Sequence, residues 1–400
     1  MFRLLRSHCQ SILANQPINR LLALDVFRGI TITAMILVNN PGSWQYIYAP
    51  MKHADWHGWT LTDLIFPFFI FIVGIAITLS GTKQLEQGKS RGSILKHAAL
   101  RMVKLILLGW FLALFYYNFT ADSYNWIEQR LLTMRFMGVL QRLALVYFAC
   151  VLLWLYLSNR LLQMSFVVLL VGYWMTLWFI PYHDVLGKPY LGLMEFGNNL
   201  SAWLDSQLFN PQHLYYKTAQ PFAFDPEGVL STLPAIATGL SGIFVGQWLS
   251  KPNFNNLAKA KWLLLVGIIA VGLGELWGLY FPINKALWTS SYVLLSSGYA
   301  CVMLAALIYL LDCKNIKNWS APFVVFGANS IAFFMFAGVV ARLLIMIPVA
   351  DSSLKGWLYT QVFQPAFGEF NGSLAFAIGF LIMSYGVMYV MYRRGLFWKV

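Results

Sequence analysis

Residues 20–80 read RLLALDVFRGITITAMILVNNPGSWQYIYAPMKHADWHGWTLTDLIFPFFIFIVGIAITLS. Two helix-length apolar segments, 21–39 and 62–80, flank a polar loop. A membrane span needs about 20 mostly apolar residues, and both segments reach that length. The first carries Asp25 and Arg28, three residues apart and therefore on one helix face. Charge inside a span is costly, so such a pair is either a structural ion pair or part of a site. The loop holds His53, Asp55 and His57, and Asp63 opens the second segment. A histidine takes and gives protons near neutral pH, which makes this loop the first place to look for chemistry.

Working outward, the same pattern recurs along the chain. Of 400 residues, 59% are hydrophobic and 11% charged, with a mean hydropathy of +0.63. Soluble domains average about 25% charged residues, so the bulk of this chain belongs in lipid. Ten spans are expected, near 21–39, 62–80, 98–117, 138–157, 162–181, 230–249, 262–280, 290–311, 321–347 and 373–392. The fold class is an all-α polytopic membrane protein of about ten transmembrane helices. A short tail over 1–19 precedes one membrane-embedded domain over 20–400. Ser7–Gln16 is too polar for the apolar core of a signal peptide. Pro67 sits inside the second span, where it frees a backbone carbonyl and predicts a kink.

The net charge of +13 does not point to nucleic acid. Most of the 28 Lys and Arg fall in one set of connections: the N-terminus, 81–104, Arg160, 250–261, 312–320 and the C-terminus. The positive-inside rule puts these, and both chain termini, in the cytoplasm. The opposite connections, 40–61, 118–137, 182–229, 281–289 and 348–372, hold most of the Asp, Glu, His and Asn. Loops of that length and content are usually functional.

Several clusters stand out on that opposite face. Thr60 and Asp63 have the spacing of a helix cap, a role as natural for Asp63 as catalysis. Arg135, Gln141 and Arg142 flank the start of the fourth span as an anion site or as interface anchors. Asp225-Pro226-Glu227-Gly228 reads as a turn and helix start, or as two carboxylates for an amine or sugar hydroxyls. Lys285 and Trp288 place a cation beside an aromatic platform. Gly242 and Gly246 form a small-xxx-small pair, a helix-packing signal. His53 and His57 are four apart, but no further His or Cys completes a zinc site, and no metal is expected. Cys150 and Cys301 read as packing residues.

Taken together, Leu24-Asp25-x-x-Arg28-Gly29, Asn39, His53-Ala54-x-Trp56-x-Gly58-x-Thr60-x-x-Asp63-Leu64-x-Phe66-Pro67 and Gly138-Val139-Leu140-Gln141-Arg142 resemble the heparan-α-glucosaminide N-acetyltransferase family of membrane acyltransferases. So do Asp225-Pro226-Glu227-Gly228, Pro282-x-x-Lys285-x-x-Trp288-Thr289-x-Ser291 and Gly327-x-Asn329. The resemblance implies transfer of acetyl from cytoplasmic acetyl-CoA to the amine of a glucosamine-type sugar across the membrane. It implies His53 as the active-site histidine; Asp25, Asn39 and Asp63 are the candidates to fix its tautomer. The candidates for holding the donor are Arg28, Arg101, Lys104, Arg135, Arg142, Ser291 and Asn329. The acceptor set is Trp56, Asp225, Glu227, Lys285 and Trp288. The lysosomal member carries a luminal region and a further span ahead of this core, so the resemblance implies a bacterial homologue in the inner membrane, with lipid around it and a homodimer as an arrangement left open. The competing reading is an amino-sugar transporter; such proteins show internal repeats, and none is evident in this chain.

Overall fold

The computed structural model describes residues 2–14 and 21–398. Arg20 and Lys399, which contribute to the expected charge asymmetry, lie outside them, as do the side chains of Arg3 and Arg6. The helices are α1 (Phe2–Ala14), α2 (Leu22–Asn39), α3 (Leu61–Glu86), α4 (Arg91–Leu114), α5 (Val139–Tyr156), α6 (Asn159–Phe179), α7 (Leu200–Leu208), α8 (Thr232–Leu249), α9 (Asn256–Gly278), α10 (Ser290–Leu307), α11 (Ala321–Ala328), α12 (Ser330–Met346), α13 (Leu354–Leu358), α14 (Gln364–Phe367) and α15 (Glu369–Arg393). Among the described residues nine single helices are long and apolar enough to cross a bilayer. The only strands among them are three two-residue hairpins.

One expectation needs correction. The span expected at 321–347 is not one helix: it breaks at Asn329, and the segments on either side meet at 76°. Gly327-Ala328-Asn329-Ser330 interrupts the apolar run, and Asn329 takes a non-helical backbone at φ −127°, ψ 42°. The basic connection 81–104 is largely helix. α3 runs on to Glu86, and Ser90 caps α4 by accepting a hydrogen bond from the Ser93 amide at 3.2 Å. The charged residues there extend two helices past the apolar runs. α3 also continues unbroken through Pro67.

α3 is the central element. Its start is fixed by a capping box: Thr60 and Asp63 satisfy each other's backbone. α8 lies against it at backbone distance. A Cβ on Gly242 would fall 2.1 Å from the carbonyl oxygen of Phe71, and one on Gly74 would fall 2.1 Å from that of Gly239. Gly246 meets Thr78 one turn further on. The small-residue stripe is therefore a helix seam. The segment 180–230 builds a second, smaller core from Tyr182, Met194, Leu200, Phe222 and Phe224, with Tyr173 and Leu177 of α6 and with Phe281 and Leu287. This cap sits over the end of the bundle where α2 ends and α3 and α5 begin.

Candidate active site

The 52–60 loop is not helical, and Gly58 explains its course. Its φ of +96° lies where other residues are strained, and its amide donates to the carbonyl of Ile283 at 2.8 Å. Asn284 donates to the carbonyl of Trp56 at 2.8 Å, and the Trp56 indole donates to that of Met194 at 2.8 Å. The loop is thus tied to both neighbouring connections, and His53 is held over the start of α3.

Asp63 organises the centre. One carboxylate oxygen lies 2.6 Å from His53 Nδ1, and the other accepts from the amides of Ala54 and Thr60, both at 3.0 Å. Lys285 Nζ stands 3.5 Å from the same carboxylate and 3.1 and 3.4 Å from the two ring nitrogens of His53. The cap and the histidine partner are therefore one side chain. Asp63 is buried, whereas the His53 side chain is 53% exposed. Burial pushes the Lys285 ammonium down from its ordinary value, against the pull of Asp63 and Glu227.

These groups line a chamber of about 310 Å³. Its wall includes Met35 and Asn39 from α2, Phe66 from α3, Arg135 and Val139, Tyr215 and Tyr216, Glu227, and Trp288. Arg135 grips Asp225 with two bonds, at 2.6 and 2.5 Å, and also reaches Glu227. Burial alone would raise Glu227, but Arg135 and Arg142 outweigh it and hold the carboxyl down. Asp205 of α7 braces this turn by accepting from the amides of Asp225 (3.2 Å) and Val229 (3.0 Å), and burial pushes its carboxyl to about 6. Gly228 makes room for it, since a Cβ there would lie 2.1 Å from Asp205 Oδ2. Trp288 has a positive φ of 51° and is fully buried between Phe66 and Tyr292, with the Arg142 guanidinium 5.1 Å from its ring centre. Tight packing holds that unusual backbone in place.

A second cavity of about 340 Å³ lies toward the other end of the bundle. Arg28, Arg101, Gln84, Asn329 and Trp398 supply its polar and aromatic lining. Arg101 lies 4.8 Å from the centre of the Tyr147 ring, and its Nε is buried without a hydrogen-bond partner among the described residues. The two cavities adjoin along the helices: Phe66 and Val139 face the first, Phe69 and Leu143 the second. Three or four residues of helix separate them, about 5–6 Å.

The sequence model of the family described as heparan-alpha-glucosaminide N-acetyltransferase, catalytic, matches residues 20–277. The chain belongs to this family. It is 30% identical to the human heparan-alpha-glucosaminide N-acetyltransferase and 29% identical to the mouse one, over 95% and 96% of its own length. It spans about 60% of the length of these two relatives. Within this heparan-alpha-glucosaminide N-acetyltransferase family member, the matched region contains His53, Asp63, Arg135 and Glu227, while Lys285, Trp288 and Asn329 come from beyond it.

The candidate residues sort into the two cavities. Of the three proposed partners for His53, the chain folds Asp63 onto it; Asn39 lines the same chamber. Asp25 does not join them. It pairs with Arg28 at 3.5 Å, ten residues and about 15 Å of helix below Met35. Trp56, Glu227, Lys285 and Trp288 line the His53 chamber. Asp225 and Glu227 are engaged by Arg135 rather than standing ready for an amine. Among the donor candidates, Arg28, Arg101 and Asn329 share the second cavity. Lys104 is exposed and lies off its lining. Arg135 is at the His53 end, Arg142 is buried against Ser231 and Gly228, and the Ser291 hydroxyl donates to the carbonyl of Phe281 at 2.6 Å. These three are wall and support residues because α5 and α10 start at that end. Asp205, Tyr215, Tyr216 and Trp398 were not singled out: they sit in polar or terminal segments with no periodicity to mark them.

Proposed function

We propose that this chain is a transmembrane N-acetyltransferase that carries acetyl from acetyl-CoA to the amine of a glucosamine-type acceptor. The observation that carries the reading is the His53–Asp63–Lys285 cluster in a chamber one helical turn from a cationic cavity at the opposite end. The positive-inside rule places the α1 end in the cytoplasm, which gives the cationic cavity to acetyl-CoA and the His53 chamber to the outer acceptor. Family membership and the basic helix ends support that assignment. An inner bacterial membrane fits the same reading.

The second cavity suits the donor. Its guanidinium groups can take phosphates, and its apolar neck beside Phe69 and Leu143 leads toward His53. At the other end, Asp63 on Nδ1 leaves His53 Nε2 as the base. The acceptor enters as an ammonium, and Nε2 removes one proton. The freed amine attacks the thioester carbonyl, its nitrogen sheds a second proton to solvent, and the C–S bond of the tetrahedral intermediate then breaks. The imidazolium returns its proton as the thiol departs. Lys285, beside His53, is the cation offered to the developing oxyanion, whereas Arg28 lies in the other cavity.

Sealed vesicles test this. With labelled acetyl-CoA inside and glucosamine outside, label should appear on external sugar. His53→Ala should lower that transfer by at least about 10²–10⁴-fold. Full transfer by the variant, or uptake of unmodified sugar without CoA, would sink the proposal.

A further inference from the structure

The last described segment turns back on the bundle, and its course is built rather than incidental. α15 ends at Arg393, and Gly395 takes φ +65°, the left-handed conformation that closes a helix. The amides of Gly395 and Leu396 donate to the carbonyls of Tyr392 and Met391, at 3.1 and 2.9 Å. Asn329, at the break between α11 and α12, then uses both ends of its carboxamide on this segment. Its Nδ2 donates to the carbonyl of Leu396 at 2.8 Å, and its Oδ1 accepts from the amide of Trp398 at 3.0 Å. The clamp sets Trp398 on the wall of the cavity that holds Arg28 and Arg101.

The other aromatic rings on that wall are committed. The Arg101 guanidinium lies over Tyr147, and Trp154 fills the space left by Gly81, where a Cβ would fall 2.5 Å from its ring. Phe69 is buried. Trp398 keeps 46% of its surface open. On the lining of the same cavity, Arg101 carries a buried Nε with no hydrogen-bond partner among the described residues. A half-open indole in one cavity with two guanidinium groups is suited to a base joined to phosphates.

We infer that the 395–398 segment is part of the donor site, with Trp398 stacking the purine base of the acyl-CoA nucleotide and Asn329 acting as the positioning residue for Trp398. This rests on the donor reading of the cavity. It changes the part given to Asn329, whose carboxamide holds the protein's own chain. It also predicts that the protein tells CoA thioesters from donors lacking the nucleotide.

Two measurements on the purified full chain in detergent test it. Stacking on an aromatic ring contributes enough to shift affinity by about tenfold to a hundredfold. Trp398→Ala should weaken CoA binding by that factor, Trp398→Phe should restore most of it, and Asn329→Ala should weaken it comparably. In acetyl transfer, Trp398→Ala should raise KM for acetyl-CoA while leaving kcat/KM for acetyl-4′-phosphopantetheine unchanged. CoA binding unaffected by Trp398→Ala would overturn the inference whether or not acetyl reaches a sugar, and so would equal losses with both donors. Donor-selective weakening of CoA binding in a chain that acetylates no amino sugar would instead sustain the inference and sink the proposed reaction. A wild-type chain that binds no CoA would overturn both.

Discussion

At the scale of single residues, Asp63 does two jobs that separate under mutation. It caps α3 with Thr60 and anchors His53. Thr60→Ala removes the cap's hydroxyl, with its bonds to the Lys52 carbonyl (2.6 Å) and the Asp63 carboxylate (3.2 Å), but leaves the His53–Asp63 contact, so it should cost about 0.5–2 kcal/mol of stability with most acetyl transfer kept. Asp63→Asn should lose both, with a fall in transfer comparable to that of His53→Ala. Thermal unfolding in detergent beside turnover reads the two effects separately. Lys285 offers a pH test. Burial lowers its pKa, so the ammonium is lost at a pH below that of an ordinary lysine. If the charge serves the oxyanion, transfer declines on the alkaline side as that proton leaves. Lys285→Arg, which stays charged, should carry the alkaline limb to higher pH; an unmoved limb would remove Lys285 from the mechanism.

At the scale of elements, the α3–α8 seam and the Asp205 brace make different demands. Gly242→Val pushes a side chain into the Phe71 carbonyl, a backbone atom that cannot swing aside. Overpacking of this kind typically costs about 1–3 kcal/mol, and unfolding should register it. Gly92→Ala, with open space around it, is the control. Asp205 has its carboxyl raised to about 6, above the unfolded value near 3.9. The folded chain therefore binds that proton more tightly than the unfolded one. The stabilisation is full below the unfolded pKa and is lost as pH rises through the folded pKa. Asp205→Asn cannot titrate, so its deficit in unfolding temperature should be largest near pH 4 and shrink toward pH 7. Much at this scale was legible beforehand. Apolar runs such as 62–80 declare themselves by length alone, and Thr60-x-x-Asp63 declares a helix start. The break at Asn329 was not, because a polar patch of four residues in a long apolar run does not announce a 76° bend, and the partners of the Asn329 carboxamide lie in the distant 395–398 segment. Asp205 was hidden for a similar reason: a single acid in a long loop gains meaning only when Gly228 is folded against it.

At the scale of the whole molecule, the sequence placed acidic and histidine-rich connections on one face and basic ones on the other, but it could not say how the faces communicate. The two cavities answer through α2, α3 and α5, each of which lines both. Under the proposed reaction, a donor held by its nucleotide in one cavity has to deliver its thioester past Phe66, Val139 and Leu143 to reach His53. Val139 is the place to test this, since it lines the His53 chamber at the first turn of α5 and belongs to no hydrogen-bonded cluster described above. Val139→Trp should narrow the neck without touching Arg28, Arg101 or Trp398. Misplacing reacting atoms by about 1 Å can cost a hundredfold, so kcat should fall by at least about 100-fold. CoA affinity should change little, because the nucleotide end is bound elsewhere. Equal loss of affinity and turnover would mean that the substitution disturbs the fold. Unchanged turnover would mean that the acyl group reaches the amine by another path, and that the neck between the cavities is not the route.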